Sequence, residues 1–123
     1  MNSKHEVPSL GPLEEKVMHL LWDNGQLTIR EVIDRLPKEP AYTTIATVLR
    51  HLGRKGMVAV NKDGRTARHI AQMSREEYTA GVMDRALSTS RDRSASILHF
   101  VDNMADSDRQ LLLNYLQEKD IEP

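Results

Sequence analysis

Apolar residues recur at intervals of three and four along most of the chain, a pattern that predicts amphipathic helices. The first predicted helix ends at Gly25, because glycine is the preferred residue just past a helix. The second begins at Thr28, which opens a capping-box pattern, and ends before Pro37. The third covers residues 43–55 and ends at Gly56. These three helices follow one another with short connections.

A strand pattern follows the third helix. Val58–Asn61 alternates β-branched and small residues, and Ala67–Ala71 is able to pair back on it. Between them lies the Asp-Gly pair at Asp63, a strong signal for a tight turn between antiparallel strands. The sequence therefore predicts a two-stranded hairpin with basic residues at its tip.

Residues 74–123 predict three further helices. The fourth helix begins at Ser74, which has glutamate three residues later in another capping-box pattern. Residues 88–96 are polar and weakly patterned and are predicted to form a loop before the fifth helix. Ser107 is predicted to cap the sixth helix, which is apolar around much of its circumference.

Three helices followed by a hairpin are typical of a winged helix-turn-helix domain. The predicted fold class is mainly α, with a winged helix-turn-helix DNA-binding domain and small two-stranded wing over residues 1–73, and a C-terminal helical dimerisation domain over 74–123. In such a domain the third helix is the recognition helix, and the major groove of B-DNA admits one α-helix. Trp22 and Tyr42 are expected to pack in the core or between domains.

The exposed face of the third helix combines hydroxyl and basic side chains. Threonines allow close approach to DNA and offer hydroxyls and methyl groups to bases, and the arginines reach phosphates or a guanine edge. For Arg50 both roles are open, and a phosphate contact is the one we favour. The basic hairpin would grip phosphates, which fix register without reading sequence. The predicted DNA-binding residues are Thr43, Thr44, Thr47, Arg50, Arg54, Lys62, Arg65 and Arg68.

Charge is distributed unevenly along the 123 residues, although the formal net charge is only −1. Residues 1–73 carry eleven Lys and Arg against eight Asp and Glu, whereas residues 74–123 carry six against ten. Within residues 42–69 there are six basic residues and one acid. Such a local cationic surface is typical of a polyanion-binding protein, although an ordinary solvated surface could carry the same charges.

The second half holds more apolar helix surface than a segment of this length can bury alone. A second copy of the chain, related by a two-fold axis, is the expected partner. Folding back on the first helix of the same chain is the alternative. A dimer would place two recognition helices about 34 Å apart, opposite a palindromic site. The predicted dimerisation residues are Tyr78, Val82, Leu98, Val101, Leu112 and Leu116.

Several classes of protein are disfavoured by composition. The chain has no cysteine, which excludes disulfides and thiolate metal sites. It has no glycine-rich phosphate loop, no HExxH motif and no nucleophile beside a base, so no enzyme, catalytic residue, cofactor or metal site is predicted. No apolar run approaches the roughly 20 residues of a membrane span, and a cytoplasmic location is expected. A winged-helix module that binds proteins without contacting DNA is the alternative function.

Four segments of the sequence resemble the penicillinase-repressor (BlaI/MecI/CopY-type) family of bacterial transcription repressors. They are LGPLEEKVMHLLW, AYTTIATVLRHLGRKGMV, NKDGRTARHIA and ILHFV, and the resemblance extends from Leu10 to Glu118. It implies a homodimer that represses operons by binding operator DNA. It also implies that Thr43, Thr44 and Thr47 face the major groove and that Arg65 and Arg68 belong to the basic wing.

The same resemblance implies a route of release from DNA. In members controlled by β-lactam sensing, a regulatory protease cuts within the C-terminal domain, before a phenylalanine that corresponds to Phe100. His99 precedes it here, where those members have asparagine. The copper-responsive branch carries a C-terminal pair of cysteines, and this chain has none.

Overall fold

A computed structural model describes residues 6–119 of the chain. Helices dominate this part of the chain, in agreement with the predicted mainly α fold. The helices are α1 (Pro12–Asn24), α2 (Ile29–Asp34), α3 (Tyr42–Arg54), α4 (Arg75–Ser88), α5 (Arg93–Asp102) and α6 (Asp106–Glu118). The strands are β1 (Gln26–Leu27), β2 (Val58–Asp63) and β3 (Thr66–Ala71).

Local hydrogen bonds fix several helix ends where the sequence predicts them. At the start of α2 the Thr28 N–H donates to Glu31 Oε1 at 2.9 Å, and the Glu31 N–H donates to Thr28 Oγ1 at 3.1 Å. The same reciprocal pair, at 3.0 Å in both directions, joins Ser74 and Glu77 before α4. Gly25 follows α1 with a φ of 85°, a conformation that favours glycine. Both predicted capping boxes are confirmed.

Two helices in the second half begin earlier than predicted. α5 starts at Arg93, inside the 88–96 segment that the sequence predicts as a loop, because the Asp92 carboxylate accepts a backbone N–H of its first turn. α6 starts at Asp106, one position before the predicted cap Ser107. Acidic residues in the first turn of α6 stabilise the positive end of the helix dipole.

The sheet has three antiparallel strands in the order β1-β3-β2, where the sequence predicts two. β1 contains only two residues, too few to show an alternating pattern, and Leu27 pairs with His69. β2 and β3 run one or two residues further than predicted, until Asp63 pairs with Thr66. Gly64, with a φ of 66°, makes the turn between them. We call residues 58–71 the wing.

A single apolar core lies among α1, α2, α3 and the sheet. Burying each large aliphatic side chain in such a core contributes about 2 kcal/mol. The fully buried side chains are Val17, Met18 and Leu21 of α1, Val32 of α2, Ile45 and Leu52 of α3, and Met57. Because α3 buries one face here, its opposite face is held toward solvent.

The described residues divide into two compact units after Val82, rather than at the start of α4 where the sequence places the boundary. Tyr78 is buried in the core of the first unit, with its ring centroid 5.8 Å from that of Trp22. The Trp22 indole N–H also donates to the Met73 carbonyl oxygen at 2.8 Å. These contacts attach the first turns of α4 to the first unit.

The second unit has almost no interior of its own. No residue of α5 or α6 is buried, and Leu98 and Leu111 are 63% and 69% exposed. Arg93 forms an ion pair with Asp84 at 3.2 Å, which links the end of α4 to the start of α5. Exposed ion pairs of this kind contribute little stability. Within a single chain, the apolar side chains of α5 and α6 therefore lack both a core and a strong polar link to hold the two helices together.

Candidate nucleic-acid interface

One face of α3 carries hydroxyl and basic side chains, as predicted. Ile45, Leu49 and Leu52 are buried on the opposite face. Spacings of four, three and four residues place four polar side chains on a single line along a helix of about 3.6 residues per turn. We call this set the threonine–arginine stripe, and its members are Thr43, Thr47, Arg50 and Arg54. All are exposed except Thr47, which is half-buried.

Two members of the stripe contact each other, and one predicted DNA-binding residue of α3 lies outside the stripe. Arg50 Nη2 donates to Thr47 Oγ1 at 3.4 Å, so the guanidinium leans along the helix. Thr44 is exposed, but it follows Thr43 directly and is turned about 100° around the helix from it. The first turn of α3 contains no acidic residue that would repel phosphate. Thr44 therefore lies beside the stripe rather than within it.

A cleft of about 390 Å³ separates α3 from the wing. Arg50 and Arg54 line it from α3, and Val60 and His69 line it from the wing. Side chains alternate along a strand, so Lys62 shares the wing face that includes Val60. Arg65, in the exposed turn of the wing, extends this basic surface beyond the sheet.

Arg68 is separated from the other basic residues of the wing. The sequence places it at the hairpin tip, but it lies within β3, where it pairs with Asn61, and its side chain is on the other face of the sheet. Its Nη1 lies 3.5 Å from Glu31 Oε1. The hydrogen bond from the Thr28 N–H lowers the pKa of Glu31 against an opposing effect of burial, and Arg68 lowers it further. Glu31 thus offsets part of the Arg68 charge.

His69 is a structural residue of the wing and adds no charge to the cleft at neutral pH. It is only 7% exposed, and its Nδ1 lies 3.4 Å from the Leu27 carbonyl oxygen. Burial lowers the pKa of His69, and the contact with Leu27 offsets part of that effect. A neutral ring that donates its Nδ1 proton to Leu27 satisfies this geometry.

Replacing His69 with glutamine should reduce the loss of stability in mild acid. Because the pKa of His69 is lower in the folded protein than in the unfolded chain, its neutral form stabilises the fold above about pH 6.5. That stability is lost as the pH falls from about 6.5 through the folded-state pKa. Urea unfolding of His69→Gln at several pH values should show a flatter profile of unfolding free energy against pH than the wild type shows. Identical profiles for His69→Gln and wild type would contradict this role.

Tyr42 is a surface residue, although the sequence predicts that it packs in the core or between domains. The structure leaves it 52% exposed at the first position of α3, directly before Thr43. The guanidinium carbon of Arg30 in α2 lies 5.9 Å from the centroid of its ring. Helical period alone could not have shown this exposure, since Tyr42 precedes Ile45 by three residues and so lies on the apolar line of α3, but at the first position of the helix.

The predicted dimerisation residues divide into two groups. Tyr78 is buried in the first unit against Trp22, whereas the other five lie at the surface or are partly covered. Val82, Leu98 and Leu112 are exposed, and Val101 and Leu116 are half-buried. The sequence prediction also omitted several exposed apolar side chains of the second unit, which are Met83, Ile97, Phe100, Leu111, Leu113 and Tyr115.

His99 and Phe100 lie within α5 rather than in an extended segment. Phe100 is 56% exposed, and the His99 carbonyl oxygen accepts a hydrogen bond from the Asn103 side-chain amide at 2.8 Å. A protease that needs extended backbone would have to unwind this helix first.

Residues 6–119 contain no group of three or more histidine, aspartate or glutamate side chains placed to hold a metal ion. Over the same residues, none of the helices combines the length and the apolar character required to cross a bilayer.

Comparison with known proteins identifies this architecture. The family model described as penicillinase repressor matches residues 10–118. The chain belongs to the penicillinase-repressor family. The transcriptional regulator BlaI of Mycobacterium tuberculosis is 36% identical over 119 residues, which cover 92% of this chain and 86% of that protein. The penicillinase repressor of Bacillus licheniformis is 28% identical over 75 residues, 59% of each chain.

A solved structure of the penicillinase-repressor family shares the fold. The solution structure of monomeric BlaI from Bacillus licheniformis in complex with the blaP half-operator has a TM-score of 0.50 and 28% identity. The match covers 59% of this chain and 92% of that chain. The winged-helix prediction is therefore confirmed. The family consists of transcriptional repressors rather than enzymes, as the sequence predicts.

Proposed function

We propose that this penicillinase-repressor family member is a cytoplasmic homodimer that represses transcription by binding palindromic operator DNA, with α3 in the major groove. The threonine–arginine stripe is the observation that carries the proposal. It combines base-contacting and phosphate-contacting side chains on the one face of α3 that the core leaves free. The transcriptional regulator BlaI of M. tuberculosis and the B. licheniformis BlaI bound to a half-operator support the same role.

Within the stripe we assign different tasks to the two residue types. Thr43 and Thr47 have short side chains that let the helix backbone approach base edges, where a hydroxyl bonds a base and a methyl meets the thymine methyl. Arg50 and Arg54 lie further along the helix, beside the cleft to the wing, and are assigned to phosphates. The wing adds further phosphate contacts on the same side through its basic residues Lys62 and Arg65.

A second copy of the chain is the proposed cover for the second unit. Its helices α5 and α6 bury none of their residues, and they present a broad apolar surface. Residues 74–123 carry six Lys and Arg against ten Asp and Glu, which would keep this half away from DNA. A two-fold dimer through these helices would pair two recognition helices with a palindrome.

Removing the threonine hydroxyls and methyls of the stripe tests directly whether α3 contacts bases. Replacing Thr43 and Thr47 together with alanine should weaken binding to the specific site about tenfold to a hundredfold, and leave binding to unrelated duplex nearly unchanged. Gel-shift titration with the promoter fragment of the protein's own gene and a scrambled duplex would measure both. The control is Thr79→Ala, at an exposed threonine of α4. Equal affinity of the double variant and the wild type for the specific fragment would contradict the placement of α3 in the major groove.

We also propose that a regulatory protease releases the repressor by cutting before Phe100. Within a single chain Phe100 is exposed and α5 buries no residue, so the protease would act on a chain whose α5 is not covered by the partner copy, because a helix without a core opens readily. Mass spectrometry of the chain recovered from induced cells would locate the cut, and an intact His99–Phe100 bond would contradict the proposal.

A further inference from the structure

Arg30 and Tyr42 form an exposed pair beside the threonine–arginine stripe. Tyr42 is the first residue of α3, and Arg30 belongs to the first turn of α2, so the pair bridges the two helices of the helix-turn-helix. The guanidinium carbon lies 5.9 Å from the ring centroid, within the range of a cation–π contact. This contact holds a long side chain in place at the surface, where it would otherwise sample many rotamers.

The positive charge of Arg30 has no acidic partner among residues 6–119. Its chain neighbour Glu31 is occupied by the Thr28 N–H and by Arg68. Arg30 is therefore different from Arg68, whose charge is partly offset, and from Arg75, which pairs with an aspartate of α1 at 2.8 Å. A guanidinium stacked on an aromatic ring keeps its N–H groups free at the ring edge for an oxyanion.

We propose that Arg30 binds a DNA backbone phosphate next to the bases that α3 contacts, and that Tyr42 is the residue that positions it. In a helix-turn-helix the helix before the recognition helix crosses the phosphate backbone, which is where Arg30 lies. The inference rests on the proposed docking of α3 in the major groove and extends the DNA surface from α3 and the wing onto α2.

The test compares variants by the salt dependence of DNA binding, measured by fluorescence anisotropy with the promoter fragment and with a scrambled duplex. Loss of one phosphate contact per protomer should reduce the magnitude of the slope of log affinity against log salt by about 0.9 for each bound protomer, which is about 1.8 for the proposed dimer on its palindrome. We expect this loss, with roughly tenfold weaker binding to both duplexes, for Arg30→Gln. Arg35→Gln is the matched control at the end of α2, because the Arg35 guanidinium already donates to the Glu31 carbonyl oxygen at 3.1 Å.

Tyr42 variants separate positioning from direct contact. Tyr42→Phe keeps the ring and should retain the wild-type slope, whereas Tyr42→Ala should lower the slope as Arg30→Gln does. The double variant Tyr42→Ala with Arg30→Gln should bind no more weakly than Arg30→Gln alone, since both remove one contact. Each of these positions is exposed or at a helix end, and thermal unfolding would verify that each variant folds.

Three results would overturn the inference. The first is an unchanged slope for Arg30→Gln, and the second is equal slope losses for Arg30→Gln and Arg35→Gln. The third is an equal loss for Tyr42→Phe and Tyr42→Ala, which would mean that the hydroxyl of Tyr42, and not its ring, positions the cation. A wild-type protein that showed no salt-dependent binding to either duplex would instead refute the proposed function itself, so the two failures are distinguishable.

Discussion

Leu112→Asp is expected to convert the protein into a monomer and to weaken binding to a palindromic duplex by roughly a hundredfold or more. Leu112 is 38% exposed in a unit that buries no residue of α5 or α6, so in the proposed dimer it is covered by the partner. An unpaired carboxylate in such an interface costs several kcal/mol, and two-fold symmetry introduces it twice. At about 6 kcal/mol for the pair, dimer association would weaken by roughly 10⁴-fold.

Sedimentation equilibrium measures the first effect, and gel-shift titration on full and half palindromes measures the second. The half-site affinity should stay at the wild-type value, because the first unit has its own core. Asn114→Asp is the matched control, since it adds the same charge to α6 on the side turned away from Leu112. A dimer of unchanged strength in Leu112→Asp would refute α6 as the interface.

Features that depend on neighbouring residues were predictable from the sequence. The Thr28 and Ser74 capping boxes involve partners three residues away, and both form as predicted. The stripe on α3 follows from helical period alone, because the apolar line through Ile45, Leu49 and Leu52 determines which residues face outward. The threonine–arginine stripe is therefore predictable from the order of residues alone.

Features that depend on distant residues were not predictable in the same way. Tyr78 has the sequence pattern of an interface residue, and only the position of Trp22 in space makes it a core residue. β1 exists because β3 offers it a partner, and two residues carry no periodic signal. Arg68 is basic like its neighbours, but strand alternation and the position of Glu31 take it to the other face of the wing. In each of these three cases the local sequence pattern is compatible with more than one position for the residue, and a contact with a distant residue determines which position is adopted.

The separation of Arg68 from Lys62 and Arg65 leads to a second large expected effect. Replacing Lys62 and Arg65 together with glutamine should weaken binding to specific and scrambled duplexes alike, by roughly tenfold to a hundredfold at moderate salt. Each protomer would lose two phosphate contacts, so the salt slope should fall in magnitude by about 1.8 for each bound protomer and by about 3.6 for the proposed dimer. Lys62 lies on the wing face that lines the cleft to α3, and Arg65 is in the exposed turn, so both charges are available to the backbone.

Arg68→Gln is the control for this double variant, because it removes the same charge from the same hairpin. Its guanidinium lies 3.5 Å from the Glu31 carboxylate, so its loss should change the salt slope by much less than one phosphate contact. Fluorescence anisotropy over a range of salt concentrations measures the slopes of both variants and of wild type. If Arg68→Gln lowered the slope as much as the double variant, the face of the wing that carries Arg68 would be the one against DNA. If only the specific duplex were affected by the double variant, Lys62 and Arg65 would be reading bases, because phosphate contacts carry no direct sequence information.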